Sequence, residues 1–154
     1  MLMLVFRLGD NRYAIATPAI VTVLPRVNLQ AIPGSSPAVA GMFSYQGQIV
    51  PVLDLNQLLR GAASSALLST RIILVNQGAL GESARLLGLL AEQATETLAL
   101  HQVEEIAERV DFCQSPYLGE MLVSQQEIIQ QLQIYSLLSQ PAYDALIDQA
   151  TTAS

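Results

Sequence analysis

The sequence predicts a mainly β protein of many short strands, and three observations carry that prediction. Short runs of branched and apolar residues alternate with clusters of Gly, Pro, Asn and Ser. Helical periodicity is confined to two stretches near the C-terminus. The first third of the chain also echoes in later segments.

In chain order, Leu4-Val5-Phe6-Arg7-Leu8 ends at Gly9-Asp10-Asn11, a cluster suited to a hairpin turn. Arg12 to Thr17 returns and stops at Pro18. Ile20 to Val27 is a branched strand broken at Pro25, and Pro33-Gly34-Ser35-Ser36-Pro37 marks a loop. From Gly41 the chain runs into a Tyr45-Gln46-Gly47 turn. Ile49-Val50-Pro51-Val52-Leu53-Asp54-Leu55 then suits a strand that sits at an edge or bulges at Pro51, because proline cannot donate to a ladder. A linker follows at Gly61–Ser65. Arg71–Val75 is an apolar strand ending at Asn76-Gln77-Gly78, and Arg85–Leu100 makes one or two more. Gln102–Glu108 reads as about two turns of helix, and Pro141–Gln149 as a helix with proline at its start. The last residues are expected to fray.

The echo has two parts. Gln48–Leu59 aligns without gaps on Glu127–Leu138 at an offset of 79, pairing Ile49 with Ile128, Leu53 with Leu132 and Leu58-Leu59 with Leu137-Leu138. Tyr13–Leu24 aligns more faintly on Leu87–Leu98 at an offset of 74. Two similar β lobes are the physical reading, each too small for a sturdy core alone and packed as one domain over residues 1–154. The lobes are expected to part near residues 60–70.

Composition bounds the function. The chain is 51% hydrophobic and only 13% charged, with mean hydropathy +0.40, against about 25% charged in a typical soluble domain. Either the core is unusually large or apolar surface awaits partners; the second is the preferred reading. The net charge is −6 and the seven cations are all scattered arginines. A nucleic-acid binder needs clustered cations, so no nucleic acid and no anionic membrane surface is expected as a partner. The longest uncharged run, Val27 to Leu53, carries three prolines, so no membrane insertion is expected, and the chain reads as cytoplasmic.

No catalytic constellation emerges, and no cofactor or metal is expected. Cys113 and His101 each stand alone; the first reads as an inert thiol and the second as a solvated surface histidine. Glu104, Glu105 and Glu108 read as a solvated face. Asp54 has no evident partner for general-base work.

These residues, taken together, resemble the CheW family of bacterial chemotaxis coupling proteins. The resemblance rests on Phe6-Arg7-Leu8-Gly9-Asp10, Tyr13-Ala14-Ile15, Ile20-Val21-Thr22-Val23-Leu24-Pro25, Pro37, Gly41, Gln46-Gly47 and Ile49–Leu55, all in order. A looser match continues through Leu87-Gly88-Leu89-Leu90, Ala94–Leu98 and a turn at Tyr117-Leu118-Gly119. It implies two SH3-like five-stranded β barrels with a groove between them and a short C-terminal helix. It also implies a non-enzymatic adaptor whose partners are the regulatory domain of a CheA-type histidine kinase and the cytoplasmic tip of a chemoreceptor. By resemblance, Ile20, Thr22, Val23, Gly41, Tyr45, Gln46, Gly47, Asp54 and Asn56 are the expected partner-binding positions. Thr22, Gln46 and Asn56 stand where the family carries charges, so partner selection is expected to differ, as in an adaptor of an alternative or surface-sensing pathway. The competing reading is a small-molecule or peptide sensor that uses the inter-lobe groove.

Overall fold

The computed structural model describes residues 2–8, 11–25, 27–60, 70–78, 85–99, 105–107, 118–124, 127–134, 137–138 and 140–152. Its strands are β1 (Leu2–Leu8), β2 (Asn11–Ala16), β3 (Ile20–Pro25), β4 (Val39–Tyr45), β5 (Gln48–Asp54), β6 (Thr70–Asn76), β7 (Leu86–Ala99), β8 (Glu105–Ala107), β9 (Leu118–Ser124) and β10 (Glu127–Leu132). A short 3-10 turn, Thr17–Ala19, separates β2 from β3. Helix α1 (Leu55–Arg60) follows β5, and α2 (Gln140–Thr152) is the expected C-terminal helix. The fold is mainly β.

Strand pairing explains the echo. Val52 pairs with Gly88 in the parallel β5–β7 ladder, and Gln131 pairs with Ala14 in the parallel β10–β2 ladder. The two offsets read from the sequence carry the first pair onto the second. The antiparallel ladders agree: Leu4 faces Ile15 and Ile73 faces Leu89, while Val23 faces Ile73 and Thr97 faces Leu4. Two units with the same pairing register are therefore built from one chain. Unit one holds β3, β4, β5, β6 and the first half of β7. Unit two holds β1, β2, β8, β9, β10 and the second half of β7.

The units do not part near residues 60–70. The β2–β3 segment starts in unit two and ends in unit one, and β7 runs the opposite way, so each unit borrows strands from the other half of the sequence. The chain breaks its first crossing at the Pro18 turn and makes the second as one continuous strand. The linker at 61–65 lies outside the described residues.

Three further expectations change. Among the described residues the ladders do not close into rings. The path runs from β3 to β8, and segment 27–38 adds only one bridge, Gln30 to Met42. The helix expected at Gln102–Glu108 is a strand over its described part, Glu105–Ala107, because pairing with β9 outweighs a short local pattern. Leu118 and Gly119 open β9 rather than a turn. The Gly9-Asp10 turn is outside the described residues, although Leu8 facing Asn11 closes the expected hairpin. Pro51 pairs only toward β4, opposite Met42, since the β7 ladder begins at Val52. That placement satisfies the edge requirement without a bulge at proline.

The core explains the hydropathy. Leu4, Phe6, Leu8, Tyr13, Ile15, Leu53, Ile73, Val75, Leu87, Leu89 and Leu132 form one cluster shared by both units. On the opposite faces of the same strands, Met3, Val5 and Ala14 join Leu122 and Ile129 inside unit two. Val50, Leu74 and Leu86, with Val52, Ile72 and Leu90, fill unit one. Strands buried on both faces need near-continuous apolar sequence. The apolar excess therefore fills a large core first, reversing the preference for exposed surface. Only Leu2, Val21, Val23, Val27 and Ile128 are large exposed apolar residues among those described.

Candidate functional site

The β4–β5 hairpin is the best-defined candidate. Its two-residue loop, Gln46-Gly47, has φ of 50° and 81°. Two successive positive values fit a tight hairpin whose twist matches its strands, a turn that favours Asn-Gly. Gln46 is the sole non-glycine residue with positive φ among those described. An L-residue in that region costs roughly 1–2 kcal/mol. The side chain projects and is exposed, as expected.

Both flanks of the turn are tied down. Tyr45 is half-buried against the cluster of Val50, Leu74 and Leu86. The Gln48 side chain hydrogen-bonds the Tyr143 hydroxyl, which itself donates to the Leu86 carbonyl at 2.8 Å. The Arg85 guanidinium lies 5.7 Å from the Tyr143 ring centroid. Arg85 donates to the Gln77 carbonyl at 3.2 Å, and the buried Gln77 amide donates to Ile134 O at 3.0 Å. Nothing in the sequence pattern pointed to Tyr143 as a neighbour of this turn.

Burial pushes the Tyr143 phenol above its ordinary range, opposed by the Gln48 bond and the Arg85 charge. The folded protein thus holds this proton more tightly than the unfolded chain does. The resulting stability is complete below about pH 10 and is lost as pH rises through the raised value. Urea denaturation followed from about pH 8 to about pH 11 should show wild type losing more stability than Tyr143→Phe. Equal losses would show that this phenol does not couple to folding.

Strand β3 is the second candidate. It ends the ladder path, pairing only β6 among the described strands. Ile20 packs against the shared core and Thr22 is half-buried, while Val21 and Val23 face outward at 48% and 36% exposure. The register shifts between Ile20 and Thr22, which leaves Val21 as the looped-out residue. Val21 escaped the sequence reading, although simple alternation with Thr22 would have found it. Thr22 faces Leu74, whose side chain shares a cluster with Tyr45.

Three expected positions are internal. Gly41 is buried with φ of 150°, and a Cβ there would meet Gln30 O at 2.7 Å. Its bare backbone lets Met42 and Gln30 exchange hydrogen bonds of 2.8 and 2.9 Å. Asp54 is 7% exposed, and its carboxylate accepts from the Asn56 and Gln57 amides at 3.0 and 3.3 Å, capping α1. Asn56 is 5% exposed. A neutral residue at 56 thus has a burial reason, and the charge-loss reading keeps only the exposed Gln46 and the half-buried Thr22.

A cleft of about 320 Å³ lies between the Gly34–Ser36 loop and α2, lined also by Val39, Leu138, Ala142, Ala145 and Leu146. No residue of β1, β2, β9 or β10 lines it, so it is not a groove between the units. Its walls carry no charged side chain. His101 and Cys113 lie outside the described residues, and among those described no three metal-ligating side chains cluster. No helix of the described structure is long and apolar enough to cross a membrane.

Comparison with known proteins places this geometry. The model of the CheW-like domain matches residues 2–142, nearly the whole chain. The chain belongs to the CheW-like domain family. The crystal structure of the scaffolding protein TtCheW from Thermoanaerobacter tengcongensis is similar in fold, with a TM-score of 0.75 at 19% identity. That match covers 90% of this chain and 87% of TtCheW. No curated protein sequence matches the chain. Membership in this family carries the general role of a coupling scaffold in chemotaxis-type signalling. Within that family, this CheW-like chain presents a glutamine at the tip of its hairpin and two exposed valines on an edge strand.

Proposed function

We propose that the chain is a non-enzymatic adaptor joining the cytoplasmic tip of a chemoreceptor to the regulatory domain of a CheA-type histidine kinase. The observation that carries this reading is the β3 edge, where Val21 and Val23 both turn apolar side chains outward on a strand that pairs only β6 among the described strands. Two apolar side chains on the outward face of an edge strand form a surface that a partner can bury. The projecting Gln46 of the β4–β5 turn supports the reading, since a residue kept at positive φ tends to mark a functional position. Gln46 offers a neutral amide where the family carries a charge, which favours a hydrogen-bonding or neutral residue on the receptor over a carboxylate.

Binding to a kinase regulatory domain, measured by titration calorimetry, tests the proposal. Val23→Asp should weaken binding roughly 30-fold while changing folding stability by no more than about 0.5 kcal/mol. Gln46→Arg should fold normally and shift preference toward receptors of charge-bearing coupling proteins. Affinity should change little between low and moderate salt, because the patch is apolar. Absence of kinase-domain binding, or a steep salt dependence, would overturn this function or its apolar mechanism respectively.

A further inference from the structure

The hairpin turn is held from outside its own strands. Tyr45 reaches Leu86 by packing, and Gln48 reaches the Leu86 carbonyl through the Tyr143 hydroxyl. Both flanks of Gln46-Gly47 therefore converge on the first residue of β7. Tyr143 belongs to α2, distant in sequence from the turn. Packing alone would not require its hydroxyl, because Leu146 on the same helix already fills the apolar contact with Ile32 and Met42. The hydroxyl uses both of its capacities, accepting from Gln48 and donating to Leu86, in a site where its ring is buried.

The turn needs such a tether. The tip of a two-residue hairpin is the part that frays first, and Gln46 sits in a costly backbone region that relaxation would abandon. We propose that Tyr143 is a positioning residue for the Tyr45–Gln48 turn: by fixing Gln48 to Leu86 it sets the pose in which Gln46 meets a partner. This inference rests on the docking role proposed above. It adds the C-terminal helix to the elements that determine partner choice, although the helix itself contributes no contact.

Hydrogen exchange on the full chain tests it without any partner. Tyr143→Phe keeps the ring, its packing and its contact with Arg85, and removes only the hydroxyl. Amides of residues 43–50 should then exchange about tenfold faster, while those of β1 and β2 keep their wild-type rates. Gln48→Met should reproduce the effect, and the double variant should exchange no faster than either single one. Partner affinity should fall several-fold in Tyr143→Phe. Unchanged exchange at the turn, or acceleration spread evenly over the protein, overturns the inference. So does an unchanged affinity in Tyr143→Phe when Gln46→Arg alters it. If wild type binds no kinase domain, the docking reading fails instead, and the exchange result still decides whether Tyr143 positions the turn.

Discussion

Phe6→Ala is expected to destabilise the protein by about 4 kcal/mol, and to do so in one transition. Phe6 is fully buried at the centre of the cluster that both units share, with its ring stacked on Tyr13 at a centroid distance of 5.9 Å. Truncation removes the transfer energy of the ring and leaves a cavity that the two units, each packed on its far face, cannot close. Because strands cross in both directions between the units, neither unit can unfold and leave the other intact. Chemical denaturation followed by far-ultraviolet circular dichroism and by tyrosine fluorescence should give coincident curves for wild type and variant, with the midpoint of the variant lowered. Phe6→Leu should recover most of the loss. Separate transitions for the two probes would show that the crossing strands do not couple the units.

Gly41→Ala should cost about 3 kcal/mol, an unusual penalty for adding one methyl group. Two effects combine. The φ of 150° lies in a region that side-chain-bearing residues rarely adopt, worth about 1–3 kcal/mol of strain. The new Cβ would also sit 2.7 Å from Gln30 O and 2.9 Å from the Leu29 Cβ, so the backbone of the 27–32 segment has to retreat. Retreat breaks the Gln30–Met42 bridge and loosens Leu29 from the interior of unit one. Gly47→Ala is the control. It shares a positive φ, 81°, but has open space around it, so only the strain of about 1–2 kcal/mol should appear. Thermal melts of the two variants would separate the effects. Equal shifts would show that the contact with Gln30 contributes nothing.

Local chemistry was legible in the sequence where it decided the structure. Tyr45-Gln46-Gly47 formed its turn, Pro141 stands at the start of its helix, and Ile49–Asp54 made its strand, with Leu55 opening α1 instead, because turn residues, proline and branched side chains act on their own neighbours. The echo was legible as repetition but not as topology. Tyr13–Leu24 spans a strand, a turn and a second strand, while its counterpart Leu87–Leu98 lies inside one strand. A repeated cassette longer than one strand was the available sign that chains cross between units, and linear order hid it. Gln102–Glu108 misled because apolar residues at 103, 106 and 107 mimic a helical face over too short a window, whereas β9 pairing is non-local. At the site, exposure could not be read from residue type: Asp54 and Asn56 are polar yet enclosed, and Val21 is apolar yet outward. The Gln48–Tyr143–Leu86 relay joins three distant positions and leaves no local trace.

The opposed crossings of β2–β3 and β7 have a mechanical consequence. Turning one unit against the other would have to bend β7 along its length and open the Thr17–Ala19 turn at once, since the described chain passes between the units at both places. Among the described residues both crossings are flanked by the core that the units share, which resists such a turn. A body of this kind resembles a splice plate more than a joint: the spacing and angle between its two units are set by strands that belong to both.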